Sequence, residues 1–158
     1  MPKELTPIER LQLLIPGYRG YKVKDLIRQD DFLIRRAVAE RLESAIRYIT
    51  ERESFIVSTD PFSPQLKLME FLLSKIRELI GLIMSAQGGG ADIYARWKIN
   101  TEELDSIVNH DMQMIDIATK ISESAKENKI EEIDGLLNSL RVLYFERAKL
   151  FFPEELRK

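Results

Sequence analysis

The stretch PGYRGYKVKDLIRQDDFLIRR, Pro16 to Arg36, decides how the chain is read. Two glycines, a proline and two tyrosines run directly into a segment with no helix breaker. The opening heptad is therefore either a ligand-binding loop or a corner between two helices. Downstream of it, apolar residues recur at Ile27, Ile34, Val38, Leu42, Ala45 and Ile49. Steps of three, four and seven describe one face of a helix, and the absence of Pro and Gly predicts one running from Lys22 to Arg52. Roughly 30 residues at 1.5 Å each extend about 45 Å, longer than a small core unless other helices lie alongside.

Outward from that helix the same logic applies. Upstream, Thr6-Pro7-Ile8-Glu9 reads as a capping box with proline at the first helical position, so a short helix runs to Leu14 and stops at Pro16-Gly17. Downstream, SFIVSTDPFSP (Ser54 to Pro64) reads as a loop, with Ser63 and Pro64 starting the next helix. That helix carries Met69, Leu72, Leu73, Ile76, Leu79, Ile80 and Ile83, and Gly88-Gly89-Gly90 ends it. Ala91 to Ile99 is a surface crossing, a short helix, or, by the alternation of Ile93, Ala95, Trp97 and Ile99, a strand-like stretch. A helix restarts at Asn100-Thr101-Glu102-Glu103 with the stripe Leu104, Ile107/Val108, Asp111, Met114/Ile115, Ala118, Ile121 and Ala125. Asn128 and Glu131 read as a capping pair for a last helix built on Ile133, Leu136, Leu137, Leu140, Leu143 and Tyr144 and closed near Pro153. The predicted architecture is all-α: one domain over residues 1–158, an antiparallel bundle of four main helices plus a short N-terminal helix.

Composition narrows function by exclusion. The chain has 158 residues, a net charge of −2 and no cysteine. Near-neutral charge argues against a whole-domain nucleic-acid binder. The first half carries a small excess of cations and the second an excess of acids, an asymmetry too mild to steer partners strongly. Thiol catalysis, disulfides and cysteine metal sites are ruled out. The single histidine, His110, lacks a carboxylate three residues before it, so the Glu-x-x-His pattern of bundle metal sites is missing; no metal, no cofactor and no catalytic residue is assigned. The N-terminal residues hold no apolar signal core and no window reaches the length of a membrane span, so a cytoplasmic protein is expected; a membrane-surface role through Phe151-Phe152 ranks third, because the Lys/Arg-rich amphipathic face it needs is thin there. Abundant isoleucine without cysteine fits a thermophile.

Two acids break the apolar rhythm. Asp111 stands in the stripe of the fourth helix, and Asp30 stands between Ile27 and Leu33/Ile34. A buried unpaired carboxylate costs several kcal/mol, so each has to meet a cation, a cap or water. For Asp111 the sequence offers Tyr18, Arg19 or an arginine of the second helix; the arrangement is either an internal ion pair fixing helix register or a ligand-facing polar spot, and His110 is grouped with it as structural. Lys24, Arg28, Asp31 and Arg35 follow the corner at steps of four, three and four, a polar ridge that is either an ion-paired solvated face or a contact surface.

The corner and ridge resemble the opening of a group of uncharacterised helical proteins in bacteria and archaea that share a Pro-Gly-Tyr-x-Gly-Tyr-Lys signature. The matching positions are Pro16, Gly17, Tyr18, Gly20, Tyr21, Lys22, Arg28, Asp31 and Arg35, with a looser match at Glu103, Leu104, His110 and Asp111. Ile27 departs from a polar residue in that pattern. The resemblance implies a shared helical fold and a recurring corner, and it implies no reaction. If both segments recur together they are expected to touch, the tyrosine corner packing over the start of the fourth helix with an arginine near Asp111. The sequence thus reads as a non-enzymatic interaction or scaffold protein. It would engage a protein partner or a second copy of itself through Tyr18, Arg19, Tyr21, Lys22, Lys24, Arg28, Asp31 and Arg35. The alternative is a phosphate or nucleic-acid binder using the Gly17–Lys24 loop with Arg28 and Arg35.

Overall fold

The computed structural model describes residues 4–22, 27–85 and 101–150. Five helices carry the described chain: α1 (Pro7–Leu14), α2 (Ile27–Thr59), α3 (Gln65–Ser85), α4 (Thr101–Lys126) and α5 (Ile133–Leu150), with a 3-10 turn at Ile130–Glu132 before the last. No strand occurs among the described residues. Lys24, the triple glycine, the stretch from Ala91 to Ile99, Phe151-Phe152 and Pro153 lie outside them.

Contacts between side chains fix the helix directions. Arg35, near the start of α2, donates to the carbonyl of Ile83 near the end of α3, so these two run antiparallel. Arg41 donates to Thr119, and further along Tyr48 and Arg52 line a groove with Ala125 and Lys126, so α2 and α4 run parallel. Lys75 bonds Asp134 and Asn138 while Glu78 pairs with Arg141, which makes α3 and α5 parallel. His110 faces Glu146 across the antiparallel α4–α5 pair. The four long helices therefore form a square in which α2 neighbours α3 and α4, and α5 neighbours the same two. Consecutive helices run antiparallel, as the sequence predicts. Parallel neighbours arise because α3 and α4 stand on a diagonal.

Burial explains the pattern. Ile34, Val38, Leu42, Ala45 and Ile49 of α2 are at most 1% exposed, and so are Met69, Leu72, Ile76 and Ile83 of α3. Ile107, Met114, Ile115, Ala118 and Ile121 of α4 and Ile133, Leu137 and Leu140 of α5 complete one continuous core. Each buried Val, Leu, Ile or Met side chain contributes about 1.5–3 kcal/mol relative to exposure, and the alanines less. α1 is set by its predicted capping box: Thr6 Oγ1 accepts from the Glu9 amide while the Glu9 carboxylate accepts from the Thr6 amide.

Three boundaries differ from the sequence reading. Lys22 closes the corner instead of opening α2, which is described from Ile27. α2 does not stop at Arg52 but continues through Ser54–Thr59. No breaker precedes Pro61, Ile56 is buried, and the Ser58 and Thr59 hydroxyls bond back to the carbonyl of Phe55, which offsets their weak helix propensity. Asn128 is not an N-cap. It lies at φ 60° just past α4, where the Asn128 amide bonds Ala125 and the Lys129 amide bonds Ser124. That is a Schellman ending of α4, a conformation Asn tolerates better than most residues.

Candidate functional site

The corner resolves into two successive tight turns. The Tyr18 amide bonds the Ile15 carbonyl across Pro16-Gly17, with Gly17 at φ 91°, the pattern of a type II turn. The Lys22 amide then bonds the Arg19 carbonyl across Gly20-Tyr21, both at φ 66°, the pattern of a type I′ turn. At Gly20 a Cβ would come within 3.1 Å of Ile8, so glycine serves both the positive φ and the close approach. Tyr21 has no such freedom. A left-handed conformation costs an L-residue about 1–2 kcal/mol, so other contacts have to hold it there.

Those contacts come from Asp30, which is fully buried. One carboxylate oxygen accepts from the Arg19 amide at 3.1 Å and the other from the Tyr21 amide at 2.8 Å. The first turn of α2 thus reaches back and clamps the corner that precedes it. Burial pushes the Asp30 carboxyl up, and the two amides pull against that. The two donors which a phosphate-binding loop would offer to its ligand are taken by this internal carboxylate.

The side chains of the corner point inward. Tyr18 and Tyr21, each 2% exposed, meet edge to face with centroids 5.9 Å apart. Both hydroxyls donate to Asp111 Oδ2, at 2.9 and 2.6 Å, and Arg147 Nε donates to Asp111 Oδ1. Arg147 Nη2 reaches the Tyr21 hydroxyl oxygen at 2.8 Å and Asp31 Oδ1 at 2.8 Å. Asp31 Oδ2 accepts from Arg35 Nε at 3.0 Å, and Arg35 Nη1 donates to the Ile83 carbonyl at 3.1 Å. The chain of contacts alternates acid and base from α4 through α5 to α2, and ends on a carbonyl in the last turn of α3, where the helix dipole favours a cation. All four long helices and the corner meet in it.

Electrostatics follow from the dry setting. Burial pushes the Asp111 carboxyl up from its ordinary value, while Arg147 and the two tyrosine hydroxyls pull it back. Burial works against the Arg147 charge, but Asp111, Tyr21 and Asp31 outweigh it and hold the guanidinium firmly protonated. Both tyrosine hydroxyls are driven well above their ordinary 10, first by burial; the Asp111 charge adds to this, and Arg147 opposes it. Low dielectric strengthens each of these bonds and makes any missing partner costly.

The residues singled out from the sequence divide accordingly. Tyr18, Tyr21, Asp31 and Arg35, assigned from the sequence to a partner-binding set, lie inside, bonded to one another or to Asp111 and Arg147, and the two tyrosines pack on α4 as the alternative expectation has it. Arg19, Lys22 and Arg28 are exposed. Lys22 lines a groove of about 530 Å³ with Glu9, Gln12, Asp105 and Asn109. Asp111 meets Tyr18 as anticipated, but its arginine comes from α5 rather than α2. Arg147 was missed, although it continues the Leu140–Tyr144 stripe one helical turn further and is the charged interruption of that stripe. His110 is half-buried, its Nδ1 2.8 Å from the Ser106 carbonyl oxygen and its Nε2 3.3 Å from Glu146. Among the described residues no three His, Cys, Asp or Glu side chains are grouped to hold a metal, and no helix is long and apolar enough to cross a membrane. Compared with protein-family models, curated proteins and solved structures, the chain has no significant match to any of them.

Removal of Asp111 strips Arg147 of one of its acids and both tyrosines of their acceptor. Asp111→Ala is expected to cost about 3–5 kcal/mol in urea unfolding. Arg10→Ala, which breaks an exposed pair with Asp116 at 3.4 Å, should cost under about 1 kcal/mol. Equal losses would deny the network its weight. Alkali tests the tyrosines. Their folded values lie above the unfolded 10, so their contribution is complete below pH 10 and is lost as pH rises beyond it, at up to about 1.4 kcal/mol per pH unit for each. The tyrosinate absorbance of Tyr18 and Tyr21 should appear only as helical circular dichroism is lost, and Tyr18→Phe/Tyr21→Phe should flatten the decline. Ionisation of both within an intact fold would contradict this.

Proposed function

We propose that this protein is a non-enzymatic helical interaction module that works in the cytoplasm by binding a protein partner, with the corner and α2 serving to present its surface. The observation that carries the reading is that the densest cluster of ionisable side chains among the described residues is shut. Asp111, Arg147, Asp31 and Arg35 are between 0 and 6% exposed and bonded to one another or to the tyrosines. None of the three grooves described above and below is lined by Asp111, Arg147 or either tyrosine. A turnover site has to admit its substrate and bring groups to bear on it, whereas this cluster spends its groups on the fold. What is left outside is contact surface: Arg19, Lys22 and Arg28 around the corner, and Leu13 and Leu14 at 74 and 50% exposure at the end of α1. The absence of cysteine fits a reducing compartment. Phosphate binding by the corner finds less support, because Asp30 occupies its amides.

The test is isolation at native abundance with mild cross-linking, followed by size exclusion with light scattering. A defined complex with another protein, in fixed ratio, is expected. A monomer that carries no partner across several growth conditions would overturn the reading.

A further inference from the structure

α1 lies across the outer side of the bundle, packed on α4. On its α2 side it leaves a groove of about 200 Å³ whose apolar lining, Leu14, Ile15, Leu33 and Ala37 among it, is bordered by the Arg36–Glu40 ion pair. A cavity of ~150 Å³ accommodates a benzene-sized group, so this one has room for a bulky apolar side chain. Leu14, half exposed, forms one lip, and Leu13 stands beside it.

The opposite wall holds Arg41, which is half-buried. Its Nε donates to Thr119 Oγ1 at 2.9 Å and its Nη1 to the Ala37 carbonyl at 3.0 Å. Both acceptors are neutral. Among the described residues no carboxylate lies within ion-pair distance of Arg41, for the nearby Glu40 is bonded to Arg36 at 3.1 Å. Burial accordingly draws the Arg41 pKa down, with Glu40 opposing from a distance. A cation taken partly out of water against neutral partners retains an unmet attraction for an anion. The groove therefore combines apolar side chains, an exposed leucine lip, the Arg36–Glu40 ion pair and one guanidinium with no carboxylate in ion-pair distance.

We propose that this groove docks an acidic amphipathic helical segment of the partner protein. An apolar side chain of that segment enters between Leu14 and Leu33, and a carboxylate one turn away pairs with Arg41. The assignment rests on the interaction reading above and adds the place and the chemistry. The apolar lining argues against a bare phosphate backbone. The mode is a helix laid into a groove, with an apolar anchor for affinity and charge for orientation.

Fluorescence anisotropy tests it with a labelled amphipathic helical peptide of leucine, alanine and glutamate, and with the same peptide carrying glutamine for glutamate. The glutamate peptide should bind saturably and more weakly as salt rises. The glutamine peptide, and the variant Arg41→Gln, should each lose about tenfold, or ~1.4 kcal/mol. Leu14→Ser, at an exposed position that leaves the fold intact, should weaken binding, and Phe62→Ser at the α2–α3 turn should not. Equal binding of the two peptides, absence of binding, or equal loss with Leu14→Ser and Phe62→Ser would each overturn the assignment. If a native complex is isolated but these peptides fail, the groove is wrong and the interaction reading stands. If the native protein is a partnerless monomer, that reading itself falls.

Discussion

A carboxylate with no solvent exposure at Asp111 has to be matched inside the protein, and the way it is matched organises the bundle. Arg147 supplies the charge, Tyr18 and Tyr21 supply hydroxyls, and Arg147 in turn requires Asp31, which requires Arg35, which finishes on the end of α3. An apolar set of the same volume could be as stable or more so, since desolvation offsets much of what ion pairs return. What the ionic set adds is register. Aliphatic stripes on four helices tolerate a slip of one turn with another apolar residue in each place, whereas Asp111, Arg147 and Asp31 find their partners in one alignment only. The diagonal placement of α3 and α4 makes such a key useful, because consecutive antiparallel helices alone do not choose between the possible squares.

The corner belongs to the same device. Asp30 and Asp31 are adjacent and face different tasks: one holds the backbone of the corner from below, the other holds Arg147. Tyr21 is fixed at both ends, its amide on Asp30 and its hydroxyl on Asp111. That double hold is why a tyrosine can keep a left-handed backbone angle where glycine is the usual choice. α1 is carried on this corner, so the groove between α1 and α2 owes its shape to a network that no partner would touch directly. Fold and proposed surface are linked through that one turn.

Much of this was legible in the sequence. Stripes at three- and four-residue steps gave the helices, the capping box gave the start of α1, and Asp30 and Asp111 stood out as acids in apolar company. Asp111's arginine was harder to read: Arg147 interrupts the Leu140–Tyr144 stripe, but it lies 36 residues away and linear spacing does not pair the two interruptions. Spacing also placed Asp31 and Arg35 on the flank of the stripe, where i,i+4 charges are normally solvated; only the approach of α5 turns that flank inward. The overrun of α2 past Arg52 was hidden by serines, a threonine and β-branched residues, whose weak propensity is overridden once Ile56 packs against the core. Arg41 gave no signal at all, since its neutral surroundings depend on α4 and on the Arg36–Glu40 pair.

Asp111 and Arg35 do not touch, yet they act as parts of one network through Arg147 and Asp31. A double-mutant cycle on Arg35→Met and Asp111→Asn, followed by urea unfolding, measures this directly. A shared network predicts a coupling energy above about 0.5 kcal/mol between the two sites, while losses that add within that margin, as independent sites do, would contradict it.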